Sequence, residues 1–336
     1  MDLVTRYLGM DIRTPLVPSA SPLARDLDSA RRLEDAGAGA LIMHSLFEEA
    51  VRGEEEGMSR FLHEQETGFG EAQSFLPAHW DFEHPLDDYL DNLRRLKEAL
   101  EIPVVASLNG VSPGGWIKHA EEIQAAGADA LELNVYYVPT DPDEDSAQVE
   151  RRYIDLLQLL RGHLNLPINM KLSPWFSALP AMVRRLERAG ASGVALFNRF
   201  YQPDINIDSL RLQPSLHPST SGELLLPMRW IALLHGRTEL SLGATSGIHT
   251  ATDAIKLLLA GTDVVHLCSA LLVHGPGHLE TVLAGIREWM DAQGFESIDE
   301  FRGRLSYLAC PDLGELVRTS YIRILDSYSF SPGVMT

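Results

Sequence analysis

The feature that most constrains the fold is a fourfold repeat in which an amphipathic segment ends at Ala-Gly and a short apolar run follows. Each run begins within about five residues of the glycine, as in the loops that join helices to strands in parallel sheets. Four further apolar segments are interspersed with these, so the sequence predicts eight strands. Their predicted ranges are 16–18, 40–43, 103–107, 130–133, 168–171, 193–197, 239–243 and 264–267.

Amphipathic helices alternate with the predicted strands. Eight strands and eight helices predict a single α/β domain folded as a (β/α)8 TIM barrel, with an open doubly wound sheet as the alternative. We assign residues 1–305 to the barrel and residues 306–336 to a C-terminal extension, whose apolar positions predict a helix packed on this chain or a neighbour. The predicted helices are 27–36, 85–100, 114–126, 146–160, 179–189, 227–234, 250–260 and 279–293.

Composition excludes several classes of function. The formal net charge is −19 and the chain has no basic run, which argues against nucleic acid as a partner. No stretch reaches the roughly 18 uncharged apolar residues of a membrane span, and no apolar signal segment is visible, so we expect a cytoplasmic protein. Cys268 and Cys310 are the only cysteines and lack metal-site spacing. We therefore predict no metal, and any redox cofactor must be organic.

Two small-residue turns follow the last two predicted strands. The first contains Ser246 and Gly247, and the second contains Cys268 and Ser269. Small side chains allow a phosphate to approach backbone N–H groups, and barrels commonly bind phosphate after strands 7 and 8. The sequence therefore predicts a phosphate site here, with ordinary loop chemistry of an α/β fold as the alternative.

Polar side chains stand at the predicted carboxyl ends of the other strands. Because these ends meet at one mouth of a barrel, we expect the side chains to surround a common cavity. Buried amides need partners, so a ring of them indicates a ligand such as a heterocycle with alternating C=O and N–H groups. For any single asparagine, the alternative is that its side chain satisfies its own loop. The residues are Ser19, Ala20, Ser21, His44, Ser45, Asn109, Asn134, Lys171, Asn198 and Arg199.

Nine motifs in one order carry a resemblance to a known family. They are TPLVPSAS, ALIMHS, SLNG, LELN, MKLSP, FNRF, ATSGI, GTDVVHLCSALLVHGP and QGFESIDEFRG, and they span roughly residues 1–305. On these motifs the chain resembles the dihydroorotate dehydrogenases. The resemblance implies an FMN-dependent barrel that acts on the CH–CH group of dihydroorotate or a related small anionic ring, with a role in pyrimidine biosynthesis.

The resemblance also implies roles for individual residues. Lys171 matches the family lysine at the pyrimidine edge of the flavin, where a fixed ammonium favours the anionic reduced flavin. Asn134 and Asn198 match positions that hold substrate and flavin amides. The implied cofactor-binding residues are Ser19, Ala20, Ser21, Ser45, Asn134, Lys171, Ser246, Gly247, Cys268 and Ser269.

The substrate side departs from the family pattern. Tyr137 stands nearest the family's Cys or Ser base, and it can act as a base only with a lowered pKa; an aromatic pocket wall is the alternative. His44 replaces a lysine, for which a satisfied core histidine is the alternative. Arg199 replaces a serine, and residues 80–84 replace an asparagine-bearing loop. The predicted catalytic residues are Tyr137 and Lys171, and the predicted substrate-binding residues are His44, Asn109, Asn134, Asn198 and Arg199.

Charge completes the predicted substrate site. His44, Arg199 and Lys171 are expected to form a cationic mouth that selects a carboxylate-bearing substrate, with Arg199 as a bidentate clamp. Two other functions stay open: a flavin-binding relative without catalysis, and a lyase or isomerase barrel without flavin. The electron acceptor is expected to be a diffusible oxidant or a partner protein, and the assembly a homodimer.

Overall fold

Eight parallel strands form the centre of the molecule, and their hydrogen-bonded order follows the chain around a ring. The structure, a computed structural model, describes residues 1–48, 51, 85–110, 113–135, 137–199, 204–213, 216–309 and 320–326. The barrel strands are β3 (Leu16–Pro18), β4 (Leu41–Phe47), β5 (Val104–Asn109), β6 (Ala130–Asn134), β7 (Ile168–Leu172), β8 (Gly193–Leu196), β11 (Ser241–Thr245) and β12 (Val264–Leu267).

The ring closes between the first and second barrel strands. The ladder runs β3-β12-β11-β8-β7-β6-β5-β4 with every pair parallel. At the closing point, Gly39 N–H donates to Leu16 C=O at 2.9 Å. This is the (β/α)8 architecture that the sequence predicts, so the expected fold class is confirmed.

Helices follow the strands and cover the outside of the barrel. Thr250 caps the helix Ala251–Ala260 by accepting a hydrogen bond from Asp253 N–H, and Gly261 ends that helix at φ 112°. The helices are α1 (Leu27–Asp35), α2 (Pro85–Ala99), α3 (Pro113–Ala125), α4 (Ser146–Arg161), α5 (Leu179–Arg188), α6 (Leu225–Leu234), α7 (Ala251–Ala260), α8 (Ser269–His274), α9 (His278–Gln293) and α10 (Ser320–Asp326). Their buried faces pack with the outward side chains of the strands in one apolar core.

Two short antiparallel hairpins add to the barrel. Strands β1 (Thr5–Tyr7) and β2 (Met10–Ile12) pair near the N-terminus, and β9 (Asp204–Asn206) and β10 (Arg211–Gln213) pair in the long connection after β8. The first hairpin closes the amino-terminal end of the barrel. Its Tyr7, Leu8 and Ile12 pack against inward side chains of the strands, which are Val17, Ala40, Ile42, Val105, Ala130 and Val264.

The C-terminal part of the chain begins as a layer on the barrel surface. Tyr307 N–H donates to Ala232 C=O at 2.7 Å, and the Arg237 guanidinium stacks 4.0 Å from the centre of the Tyr307 ring. These contacts tie Tyr307, which lies beyond the predicted boundary at position 305, to the barrel, and the domain boundary stays a prediction. Tyr321 and Ile322 on α10 are exposed. Within the described residues, no helix combines the length and apolarity needed to cross a membrane.

Candidate functional site

A cavity opens at the carboxyl ends of the barrel strands, where the sequence predicts the site. It encloses about 520 Å³, counting the part that is open to solvent. Its described lining residues are Ser19, Ala20, Lys171, Asn198, Arg199, Ser219, Thr245, Ser246, Gly247, Ile248, His266, Cys268 and Ser269.

The turn after β11 presents unpaired backbone donors to this cavity. Ser246 and Gly247 have φ values of 80° and 78°, a conformation that is uncommon for serine and natural for glycine. In the described part of the chain, no acceptor meets the N–H groups of Ser246, Gly247 or Ile248. Buried N–H groups rarely lack an acceptor. Because α7 begins three residues later at Ala251, the turn has the composition of an anion site.

Gly247 is also required by its packing. A Cβ atom at this position would lie 2.3 Å from the backbone nitrogen of Leu224, which belongs to the connection before α6. The small residue therefore serves the close approach of a second loop as well as access for a ligand. The sequence analysis gave only the second reason.

Ser219 also lines the cavity, and the sequence did not predict it. Its N–H donates to Ser269 Oγ at 3.0 Å, and its own Oγ lies 3.0 Å from His249 Nε2. Two residues later, Ser221 Oγ donates to Asp253 Oδ2 at 2.8 Å. These bonds fasten the long β8–α6 connection to the turns after β11 and β12. A single serine in a long loop carries no pattern that could have identified it.

Lys171 reaches the cavity from β7 and is held from below by Glu132 on β6. The Lys171 Nζ and Glu132 Oε1 atoms lie 3.3 Å apart, and Glu132 Oε2 accepts a hydrogen bond from Asn169 Nδ2 at 3.2 Å. Lys171 is 7% exposed and Glu132 is fully buried. The predicted catalytic lysine is therefore at the cavity, but its charge is paired, and the sequence analysis did not assign Glu132.

The barrel interior beneath Lys171 is polar. His266 on β12 and Tyr7 on the N-terminal hairpin meet edge to face, with ring centres 5.9 Å apart. Burial lowers the pKa of His266 to about 4, and burial together with the Glu132 charge raises the pKa of Tyr7. Both side chains are therefore uncharged at neutral pH. Within the described chain, the Tyr7 hydroxyl and both His266 ring nitrogens have no hydrogen-bond partner.

Two of the predicted asparagines, Asn109 and Asn134, end adjacent strands, and the third, Asn198, follows β8. Asn198 Nδ2 donates to Asn134 Oδ1 at 2.8 Å, and Asn109 stands opposite Asn134 in the β5–β6 ladder. Asn198 lines the cavity, whereas Asn109 and Asn134 are not among its described lining residues. The structure thus joins two of the amides directly to each other.

His44 faces away from the cavity. A register shift between Ile42 and Ser45 interrupts the alternation of β4, and the His44 ring packs edge to face on Tyr89 of α2 at 5.0 Å. Burial, aided by the Arg25 charge, lowers the pKa of His44 to about 4. The side chain is neutral at neutral pH, so it does not supply the positive charge that the sequence analysis expects of it. The ring is half-buried and its Nδ1 atom has no hydrogen-bond partner among the described residues, so His44 also differs from the alternative of a satisfied core histidine.

Arg199 lines the cavity, but its guanidinium is engaged. Its Nε lies 3.2 Å from Glu223 Oε2, and its Nη1 donates to the His217 carbonyl. Of the three expected cationic groups, one is thus neutral and two are paired with carboxylates. The expectation of a free cationic mouth is corrected in this respect, because each positive charge near the cavity has its own counter-ion.

Tyr137 lies in the β6–α4 connection. Its hydroxyl donates to Glu144 Oε2 at 2.5 Å, and Glu144 also binds Arg152, whose guanidinium lies 4.7 Å from the centre of the tyrosine ring. The hydrogen bond to Glu144 raises the pKa of Tyr137. A base needs a lowered pKa, so in this arrangement the hydroxyl is held in its protonated form. A role as base stays a prediction and would require the Glu144 contact to break.

The remaining predicted residues divide between the cavity and its surroundings. Ser19 and Ala20 line the cavity, whereas Ser21 precedes a short 3-10 helix, Pro22–Arg25. Ser45 Oγ lies 2.9 Å from Ser107 Oγ. Positions 80–84, Tyr136 and Cys310 fall outside the described residues. Among the described residues there is no cluster of three or more His, Cys, Asp or Glu side chains that could hold a metal.

Comparison with known proteins places the chain in a family. The sequence profile of the dihydroorotate dehydrogenase family matches residues 3–290 of this chain. The chain is 25% identical over 313 residues to dihydroorotate dehydrogenase A (fumarate) of Lactobacillus delbrueckii, covering 89% of this chain and 97% of that protein.

Two other relatives have names that state a different activity. The NAD-dependent dihydropyrimidine dehydrogenase subunit PreA of Escherichia coli is 26% identical over 323 residues, covering 90% of this chain and 76% of the relative. The chloroplastic dihydropyrimidine dehydrogenase (NADP(+)) of Arabidopsis thaliana is 23% identical over 326 residues, with the same two coverages. All three relatives are dehydrogenases. With the family match extending over nearly the whole barrel, the chain belongs to the dihydroorotate dehydrogenase family.

Proposed function

We propose that this protein is an FMN-dependent oxidoreductase that acts on the CH–CH group of dihydroorotate or a related small anionic ring. The observation that carries the proposal is the joint placement of Lys171 and the unpaired N–H groups of the Ser246–Gly247 turn around one cavity. Membership of the family supports the same activity. The relatives' names include both dihydroorotate and dihydropyrimidine dehydrogenases, so the choice of ring is part of the proposal.

The residues of the cavity fit FMN. Buried N–H donors at Gly247 and Ile248 match the need of a phosphate, and the hydroxyls of Ser219 and Ser269 lie at the same cavity. Lys171 approaches from the β7 side, where it suits the polar edge of a flavin ring. When bound, FMN would accept a hydride from the substrate and pass the electrons on.

The protein's own residues would orient the ligands and stabilise charge. The Lys171 ammonium is fixed before any ligand binds, and preorganised charge of this kind stabilises negative charge that develops during reaction. Asn198 would offer amide groups to a ring, after exchanging its bond to Asn134. Arg199 would bind a carboxylate in competition with Glu223.

A second candidate is a flavin-binding relative without catalysis. It is favoured by one observation: the substrate-side groups Asn198, Arg199 and Tyr137 are all bonded to other side chains of the protein.

The acceptor of the electrons would be a diffusible oxidant or a partner protein, and we propose a homodimer. Light scattering on the purified protein measures the assembly.

The decisive experiment is anaerobic reduction of the purified protein. We expect about one FMN per chain, and bleaching of its visible absorbance by dihydroorotate or another dihydropyrimidine. A colourless protein would rule out the cofactor. A yellow protein that no dihydropyrimidine or related cyclic acid bleaches would favour the candidate without catalysis.

Lys171→Ala tests the proposed role of the lysine. We expect flavin reduction to slow by about 10²-fold or more, the scale of removing one preorganised charge or donor from an active site. The matched control is Lys118→Ala, which removes an exposed ammonium on α3 and should leave the rate unchanged. An unchanged rate in Lys171→Ala would make the lysine structural.

A further inference from the structure

Glu132 is a buried carboxylate that does not line the cavity yet contacts the one lysine that does. Its two oxygens have different partners: Oε1 pairs with Lys171 Nζ at 3.3 Å, and Oε2 accepts from Asn169 Nδ2 at 3.2 Å. Glu132 stands opposite Asn169 in the β6–β7 ladder, and Asn134 stands opposite Lys171 one layer nearer the mouth. The carboxylate therefore supports the lysine from the layer below.

The other polar groups around this pair do not carry charge. Tyr7 lies on the N-terminal hairpin and His266 lies on β12. The Glu132 charge contributes to the pKa of both side chains. Burial raises the pKa of Tyr7 and lowers that of His266 to about 4, so neither can neutralise an ammonium or replace a carboxylate at neutral pH. Within the described interior, Glu132 is thus the counter-ion of Lys171.

A buried ammonium without a counter-ion is strongly disfavoured, because its desolvation is no longer compensated. Without Glu132, the Lys171 ammonium would no longer be held in place and would turn towards another polar partner or towards solvent. The fixed positive charge at the cavity would then be lost, although every atom of Lys171 is still present. Asn169 fixes the carboxylate in turn, so the lysine is held through two consecutive contacts.

We propose that Glu132 is a positioning residue that holds the Lys171 ammonium towards the bound flavin and so sets the electron affinity of that flavin. The inference rests on the proposed function, because it needs FMN in the cavity. It goes further by assigning control of the cofactor to a carboxylate that touches neither cofactor nor substrate.

The test uses the FMN-loaded protein and sulfite as a probe. Sulfite bleaches oxidised flavins by adding to the ring, and positive charge near the pyrimidine edge favours this addition because the product is an anion. The sulfite dissociation constant therefore reports the charge presented by Lys171 without any turnover. Four proteins are compared: the parent, Glu132→Gln, Lys171→Met and the double variant.

We expect Glu132→Gln to weaken sulfite binding by about tenfold or more, with FMN still bound. In the Lys171→Met background, the same change should have no further effect, because Glu132 acts through the lysine. Glu132→Asp keeps a carboxylate and should restore part of the affinity, and it serves as the readout where Gln impairs folding. Thr262→Val is the matched control, since it removes two hydrogen bonds from a fully buried side chain that does not contact Lys171.

The possible outcomes separate this inference from the proposed function. A parent protein without flavin overturns both. A yellow parent with unchanged or tighter sulfite binding in Glu132→Gln overturns the inference alone. Additive effects of the two substitutions, or equal weakening by Thr262→Val, would show that Glu132 acts on the barrel as a whole, and would overturn it as well.

Discussion

The two halves of the barrel mouth differ in how far their polar groups are already engaged. On the β11–β12 side, the N–H groups of Ser246, Gly247 and Ile248 have no acceptor in the described chain. On the β6–β8 side, Asn198 is bonded to Asn134 and Arg199 to Glu223. One half is built to receive a ligand, whereas the other must exchange its own bonds for those of a ligand.

This difference bears on specificity. A ligand that replaces an internal hydrogen bond gains only the difference between two bonds, and each net contribution is about 0.5–1.5 kcal/mol. Tight binding would therefore arise at the β11–β12 turns, and selectivity at the β6–β8 side would depend on how well a substrate reproduces the bonds that it displaces. The proposed function requires the same division, with a cofactor bound at the β11–β12 turns and a substrate selected on the β6–β8 side.

The largest expected effect comes from a negative charge on the β11–β12 side, where the backbone N–H groups have no acceptor. Ser269→Glu should abolish FMN binding, because two like charges about 4 Å apart at an effective dielectric of 20 repel by about 4 kcal/mol, roughly a thousandfold in affinity. Flavin content per chain after purification gives the measurement. Ser209→Glu, on the exposed turn between β9 and β10, should keep full occupancy, and equal loss in both variants would contradict the phosphate assignment.

Gly247 is a poorer position for this test. Any side chain there would meet the Leu224 nitrogen and would also have to adopt a positive φ. Loss of flavin in a Gly247 variant would therefore report a disturbed loop as readily as a lost phosphate contact. Ser269 is half-buried and lines the cavity, so a substitution there acts on the ligand more directly.

Two histidines on the barrel strands, the buried His266 on β12 and the half-buried His44 on β4, should make the fold sensitive to acid. His266 and His44 both have a pKa of about 4 when folded, below the usual value of about 6.5. Between pH 6.5 and about 4 these two histidines bind protons in the unfolded chain but not in the folded chain, so their contribution to stability falls as the pH decreases and levels off below about pH 4.

Urea unfolding as a function of pH measures this effect. His266→Gln should flatten the acid decline by an amount on the order of 3 kcal/mol, and His44→Gln by less because His44 is less buried. His163→Gln changes an exposed histidine on the surface and serves as the control. An unchanged slope in His266→Gln would show that this histidine does not set the acid limit.

A smaller effect should follow from breaking the ion pair between Arg199 and Glu223 on the β6–β8 side. Glu223→Gln removes the counter-ion of Arg199 while its amide oxygen can still accept from Thr220 N–H. For a carboxylate-bearing substrate, KM should fall about two- to fivefold with kcat nearly unchanged, the scale of a partly exposed ion pair. A neutral analogue should show no change. A rise in KM would mean that Arg199 is not the carboxylate site.

The smallest effect is expected at Tyr137. Since its hydroxyl is held protonated by Glu144, Tyr137→Phe should change the rate of flavin reduction by no more than roughly threefold, whereas loss of a general base costs 10²–10⁴. Rapid mixing with dihydroorotate measures the rate, and Tyr321→Phe on the exposed α10 is the control. A rate of flavin reduction lowered by 10²-fold or more in Tyr137→Phe would support Tyr137 as the general base.

The arrangement of the barrel could be read from sequence because its signals are local. Apolar runs, helix-ending glycines and the cap at Thr250 each lie within a few residues, and the observed bounds differ little from the predicted ones. The hairpins β1–β2 and β9–β10 were missed because their short strands contain exposed polar residues and form no apolar run, unlike the equally short β3. The strand-end rule also placed Lys171, Ser246 and Ser269 at the cavity correctly.

The misses at the site have a common physical cause. The direction of His44 depends on an irregularity in β4 that shifts the alternation, and no residue type announces it. The pairs Lys171–Glu132 and Arg199–Glu223 join residues 39 and 24 positions apart, so only the folded chain brings them together. Sequence reasoning placed the charged groups near the mouth but could not show which of them were already neutralised.

The N-terminal hairpin gives the first twelve residues an influence far from their own position. It seals the end of the barrel opposite the cavity, with Leu8 N–H bonded to Ser241 Oγ at 2.9 Å and Tyr7 buried among the inward side chains. Without this hairpin, water would reach the Glu132–Lys171 pair from the amino-terminal end of the barrel. The water would weaken every electrostatic interaction in that interior. Modification or removal of the amino terminus would then change the strength of the Glu132–Lys171 interaction, and with it the charge presented to the cavity, from the opposite end of the barrel.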